Sequence, residues 1–366
     1  MNTTTEVLIA GAGPTGLTLS RALTARGVDH LLLDGAAQGA NTSRAAVIHA
    51  RTLEVLDALG VSDELVRRGI LVPRFTVRDR ERALFQVPFG GLPTKYPYTL
   101  MLPQNETEQI LGENVTVHWD HRVTGIDHDK VTVAGPDGSV QHVRARYIAG
   151  CDGMNSVVRE QAGIGFTGAR YEESFVLADV AMTWQLERDE VNLFFSPRGM
   201  VVVAPLPGDR YRIVATLDDA PEHPTAADVQ ALLDERAPGG TVTDVAWSSR
   251  FRVHHRLADT YRRGPVFLAG DAAHVHSPAG GQGMNTGIQD AVALARVLAA
   301  GDNLDSYEAT RRPVAAGVVA MADRMTRVAT VRNPLARSAR NALLTVAGRS
   351  SFLQRKLAMN LSELSA

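Results

Sequence analysis

The 366-residue sequence has a single cysteine, Cys151, which excludes an intramolecular disulfide framework and a multi-cysteine metal centre. Lysine is almost as scarce. Lys95, Lys130 and Lys356 are the only three, so 35 of the 38 basic residues are arginine. No excess of either charge is present: the formal net charge is -2 and the pI about 6.6, so no global basic field exists to draw nucleic acid. No apolar run approaches the roughly 18 residues that a membrane-spanning helix needs. The opening Met1-Asn2-Thr3-Thr4-Thr5-Glu6 lacks the basic start of a signal peptide. These absences predict a cytoplasmic protein with no membrane or nucleic-acid partner.

What is there is ordinary globular composition, 45% hydrophobic and 21% charged, at a length that predicts about two domains. Val7-Leu8-Ile9-Ala10 reads as a buried parallel strand. It runs into Gly11-Ala12-Gly13-Pro14-Thr15-Gly16, after which Leu17 to Thr24 has helical spacing and Gly27 stops it. Leu31-Leu32-Leu33 forms a second strand ending at Asp34, completing a βαβ unit. Residues 52–59 read as an amphipathic helix. Around residues 75–87 and 175–217 the pattern alternates like antiparallel strands, and buried-strand character returns at Val266-Phe267-Leu268-Ala269. The pattern predicts an α/β fold, with a discontinuous nucleotide-binding domain interrupted by a second, sheet-based domain. From Tyr307 onward helix is expected, broken at Pro313 and Pro334.

The first Gly-rich turn sits where its glycines have physical meaning, between a strand and a helix. Gly11 permits a tight turn, Gly13 lets backbone approach a pyrophosphate, and Gly16 allows close helix–strand packing. The helix N-terminus supplies N–H groups and partial positive charge. Asp34 stands where a carboxylate can bind ribose hydroxyls. Two further stretches matter as much. One is Gly150-Cys151-Asp152-Gly153-Met154-Asn155-Ser156. The other is Ala269-Gly270-Asp271-Ala272-Ala273-His274, which continues through Pro278 to Gly280-Gly281-Gln282-Gly283-Met284-Asn285. In the latter, Asp271 closes a strand where a polyol can be held, and the glycines let a flat ring approach the backbone. The helix expected from about Asn285 can stabilise an anionic ring edge.

These three stretches, in this order, resemble the fingerprints of the FAD-dependent aromatic hydroxylases, the para-hydroxybenzoate hydroxylase-like flavoprotein monooxygenases. Ser43-Arg44-Ala45, Leu102-Pro103-Gln104 and Arg311-Arg312-Pro313 extend the likeness, which is greatest to the polyketide and rifampicin branch. The resemblance implies a Rossmann-like FAD-binding domain (1–72, 99–166 and 261–312), an inserted β-sheet substrate domain (73–98 and 167–260) and a C-terminal helical segment (313–366). It implies FAD on Gly11 to Gly16 (with Ala12, Pro14 and Thr15 in the turn) and on Asp34, Arg44 and Gln104, with the backbone near Val123 at the adenine. Asp152 and Gly153 would serve FAD and a transient NADPH or NADH. Asp271 would hold the ribityl-pyrophosphate part, and Pro278, Gly280, Gly281, Gly283, Met284 and Asn285 would line the isoalloxazine. The most weight falls on Arg44, Asp271, Pro278 and the loop through Asn285, with Arg44 and Pro278 as the expected catalytic residues. The implied reaction is hydroxylation of an aromatic, phenolic or polycyclic polyketide-like substrate with O2, through a flavin hydroperoxide. Baeyer–Villiger insertion and a flavin protein without turnover are the alternatives. The chain also looks shortened after Leu111, near Lys130 and between Ala295 and Leu304.

The remaining candidates read blandly. His274-x-His276 has no further ligands at metal spacing, so no metal is expected. Cys151 reads as a small core residue. The basic helical stretch Arg337 to Lys356 reads as a solvated face or a contact in a possible homodimer.

Overall fold

The computed structural model describes residues 2–39, 45–217, 220–329, 331 and 333–365. Two sheets organise it. In the first, the parallel strands Val266–Leu268, Val140–Gly150, Asn2–Ala10 and His30–Leu33 lie in that order. Their residues Val7, Leu8, Ile9, Ile148, Ala149 and Phe267 are completely buried, as strands covered on both faces must be. Helices Pro14–Thr24 and Gly283–Ala300 pack on one another beside this sheet. Val140–Gly150 is long enough to carry the antiparallel strand Lys130–Ala134 along its first half and Val266–Leu268 along its last three residues. The strand ahead of Lys130, Arg122–Asp127, reaches it through a tight turn at His128, whose φ is 52°.

The second sheet has eight strands and draws on three separate stretches of chain. The hairpin Arg74–Asp79 and Arg82–Pro88 joins the stretch from Phe166 to Ala258 by one parallel pairing, of Arg74–Arg78 with Glu190–Phe194. All other neighbours in the sheet are antiparallel. Helix Ala226–Arg236 covers one face over Val180, Val203 and Ile213. On the other, Phe75, Val191 and Ala204 meet the C-terminal helices. At its far edge the sheet is completed by His274–Val275, which comes from the loop following the first sheet.

One expectation is corrected. Helix Ser306–Ala329 continues unbroken through Pro313. The proline removes one backbone hydrogen bond. The two arginines before it anchor the helix at this point: Arg311 on Asp290, and Arg312 on the Ala258 carbonyl at 3.0 Å. Pro334 does mark a boundary, and it occupies the first turn of the next helix, Pro334–Ala347.

Candidate functional site

The carboxyl ends of the four parallel strands are bonded to one another. Gly11 N–H donates to the Leu33 carbonyl, Cys151 N–H to Ala10 and Ala269 N–H to Gly150, at 2.8, 2.8 and 3.0 Å. The three Gly-rich stretches therefore emerge side by side. Gly11 has φ 101°, and a Cβ there would lie 2.3 Å from the Cys151 carbonyl oxygen. A Cβ on Gly16 would lie 1.8 Å from the Gly11 oxygen, whereas one on Gly13 would meet nothing within 4 Å. The loop is thus crowded at its two ends and open in the middle. No side chain caps helix Pro14–Thr24, which follows Gly13. Asp34 holds the loop from the side, its carboxylate accepting from Ala12 N–H at 2.7 Å and Ala36 N–H at 2.8 Å.

The Asp152 carboxylate turns inward, accepting from the Ser156 hydroxyl at 2.5 Å and the Val158 N–H at 3.1 Å. Burial pushes its pKa up against these bonds. Arg159 fastens this motif to the next. It donates to the Met154 carbonyl at 2.8 Å and to the Ala272 carbonyl at 2.9 Å, while its guanidinium lies 3.9 Å from the Phe166 ring centre. Burial also pushes the neighbouring Cys151 thiol up, away from its thiolate form.

In the third stretch Gly270–Ala272 forms a short turn on which Asp271 is exposed. Gly270 has φ 61°, and a Cβ on it or on Gly287 would fall 2.5 Å from the Thr15 hydroxyl, so the first and third motifs interlock. Beneath the turn the buried Asp290 accepts from Gly270 N–H at 3.3 Å, His274 Nε2 at 2.7 Å and Arg311 Nε at 2.6 Å. Burial opposes its charge, but Arg311 and His274 outweigh burial and keep the carboxyl below its ordinary range.

Gly280 and Gly281, with φ of 87° and 65°, bring the following loop against Val47. The Asn285 side chain fixes it there. Its oxygen accepts from His49 N–H at 2.8 Å, and its amide donates to the Val47 and Gly281 carbonyls at 2.8 and 2.7 Å. His49 donates from Nε2 to the Gly280 carbonyl at 2.8 Å, and burial pushes its pKa down to about 4, so the ring is neutral. Gln282 donates to the Leu361 carbonyl at 3.0 Å, and Glu363 accepts from Thr286 and Gln289, so the end of the chain packs behind the loop. Pro278 and Met284 are half-buried on this loop.

Of the other expected residues, Gln104 accepts from Ala45 N–H at 3.1 Å, and Val123 keeps its side chain in the core, leaving only its backbone to a ligand. Arg44 lies outside the described residues. The Ala45 carbonyl beside it accepts from Arg212 at 2.7 Å, and Arg212 is doubly bonded to Asp179 on the large sheet. Sequence reasoning passed over His49, Asp290 and Glu363. The signal for Asp290 was available: an acid among the inward-facing Ile288, Ala291 and Leu294 of one helix. Among the described residues no group of His, Cys, Asp and Glu could hold a metal ion. A cavity of about 400 Å3 beside Arg74, Arg78 and Glu190 shares no residue with the glycine loops, and its arginines are spent on Glu190, Asp189 and Asn192.

A family described as FAD binding domain matches residues 4–322. The chain belongs to this family. It is 39% identical, over 90% of its length, to a 6-methylpretetramide 4-monooxygenase of Streptomyces rimosus. It is 34% identical, over 84%, to a pentachlorophenol 4-monooxygenase of Sphingobium chlorophenolicum. It spans 63% and 62% of those relatives. The crystal structure of a p-nitrophenol 4-monooxygenase from Pseudomonas putida DLL-E4 superposes with a TM-score of 0.88 at 29% identity, covering 100% of this chain and 99% of that one. The residues fit the cofactor on their own evidence. Gly13 leaves open space beside an uncapped helix start, and the buried Gln282 Oε1 and His276 Nε2 atoms find no partner among the described residues.

Proposed function

We propose that the chain is an NAD(P)H-consuming monooxygenase that places one oxygen atom of O2 on an aromatic small molecule, phenolic or polycyclic. The observation that carries this reading is the junction of the three glycine loops with the edge of the eight-stranded sheet at Leu257 and His274. FAD held there would supply the redox chemistry, hydride acceptance from NAD(P)H and activation of O2. The protein's part is to bind, orient and keep water out.

The open Gly13 and the start of helix Pro14–Thr24 would receive the pyrophosphate, with Asp34 toward the ribose. Asp271, exposed at its strand end, would accept hydrogen bonds from the ribityl hydroxyls. Pro278 and the loop from Gly280 to Asn285 would lie against the flavin ring, with little side-chain bulk in the way. The neutral state of His49 suits a loop that must leave an anionic ring edge to the start of helix Gly283–Ala300. Relatives named for pentachlorophenol, p-nitrophenol and 6-methylpretetramide support an aromatic substrate. The reductant NAD(P)H belongs to the cytoplasm, and we assign the chain there.

The test is a panel of phenolic and polycyclic compounds, assayed for stimulated NAD(P)H oxidation and, by mass spectrometry, for a product heavier by one oxygen. The expected result is both signals with the same compound. Tight FAD binding with no compound of either class stimulating oxidation would overturn the reading in favour of a flavin protein without turnover.

A further inference from the structure

Helix Pro334–Ala347 turns its polar residues Arg337, Arg340, Asn341 and Thr345 inward, Asn341 donating to Asp79 at 2.7 Å, and leaves its apolar side outward. Its inward face packs on the large sheet through Leu344, and Arg340 folds inward over the Phe195 ring at 4.5 Å. Its outward face should then carry charge, as a surface helix does. Instead Leu335, Leu343 and Val346 stand 82%, 70% and 65% exposed, and Phe352 on the next helix, Ser351–Leu361, is 73% exposed. The exposed face is therefore an apolar one, and a concentration of exposed large apolar side chains marks a contact surface.

Charge decides what covers it. From Arg324 to Ser362 the sequence has eight arginines and lysines and no aspartate or glutamate. The rest of the chain holds the other 30 basic residues against all 40 acidic ones, a net charge of -10. Arg324, Arg349, Arg355 and Lys356 are exposed around the apolar positions. A second copy would press one basic patch onto another. An anionic bilayer matches both features, taking the apolar side chains at the level of its headgroups and pairing with the basic rim, while the acidic remainder is repelled. No helix among the described residues is long and apolar enough to cross a membrane, so the contact lies in the surface plane.

We propose that helices Pro334–Ala347 and Ser351–Leu361 form a docking face for an anionic phospholipid surface. The test is co-sedimentation of the full FAD-loaded chain with vesicles of phosphatidylcholine alone, or mixed with about one-third phosphatidylglycerol. Partitioning onto the anionic vesicles should be at least about tenfold greater and should be lost near 1 M salt, where screening is nearly complete. Leu343→Glu with Phe352→Glu should lower it at least about tenfold while FAD content and circular dichroism stay unchanged. Equal binding to both vesicle types, no binding, or undiminished binding by the double variant would each overturn the proposal. A dimer seen by light scattering that Leu343→Glu dissociates, without vesicle binding, would overturn it in favour of self-association.

Discussion

The turn at Gly270–Ala272 and the loop at Gly280–Asn285 are close in sequence and serve the same candidate site, yet they are held by opposite means. The turn rests on a buried charge, Asp290, shared by Arg311, His274 and a backbone N–H. The loop rests on groups without charge: the Asn285 amide, the neutral His49 ring and the Gln282 amide. Behind it stands Glu363, whose carboxyl burial pushes up to about 7 against the opposing Gln289 bond. A charged support is rigid but fails badly when one partner goes. A neutral support fails by degrees and answers to pH.

Removing the charge from the first support should have the largest effect. Asp290→Asn leaves Arg311 buried without its carboxylate, a loss of roughly 3–5 kcal/mol in unfolding free energy. Urea unfolding measures it, and a loss below about 1 kcal/mol would show that the buried charge is not what holds the turn.

The second support should show itself in the pH dependence of stability. Glu363 binds its proton more tightly when folded, so its contribution is full below the ordinary carboxyl value and disappears as pH rises through about 7. His49 has the opposite sign. Its ring is pushed down to about 4, so its contribution is full above the ordinary histidine value and is lost as pH falls through 4. Relative to the unmodified chain, Glu363→Gln should gain roughly 3 kcal/mol between pH 4.5 and pH above 7, the linkage equivalent of its displaced titration. Parallel pH curves for the two proteins would remove Glu363 from the account.

The smallest effect separates support from contact. Asp271 sits on the charged turn yet is exposed. Asp271→Ala should leave stability nearly unchanged while weakening FAD binding by about one to two decades, or roughly 1.4–2.7 kcal/mol. Fluorescence titration of the apoprotein with FAD reads this directly, and unchanged affinity would move the polyol contact elsewhere.

The contrast also explains what was legible in the sequence. Strands ending in glycine and acid are local patterns, so Gly11 to Gly16, Asp152 and Asp271 could be read before any fold was known. The supports are pairings over long separations: His49 with Asn285, Arg159 with the Ala272 carbonyl, Gln289 with Glu363. No spacing rule predicts which distant residue closes such a pair. Pro313 misled for a related reason, because the contacts that carry the helix across it come from Asp290 and Ala258.

The two-residue strand His274–Val275 has a mechanical meaning. It belongs to the large sheet by its pairing with Arg256 and Leu257, yet it follows directly on the turn that carries Asp271. The sheet is thereby geared to the turn. The sheet edge at Arg256 and Leu257 is therefore joined to Asp271 through only three residues of chain, with no intervening loop to take up slack.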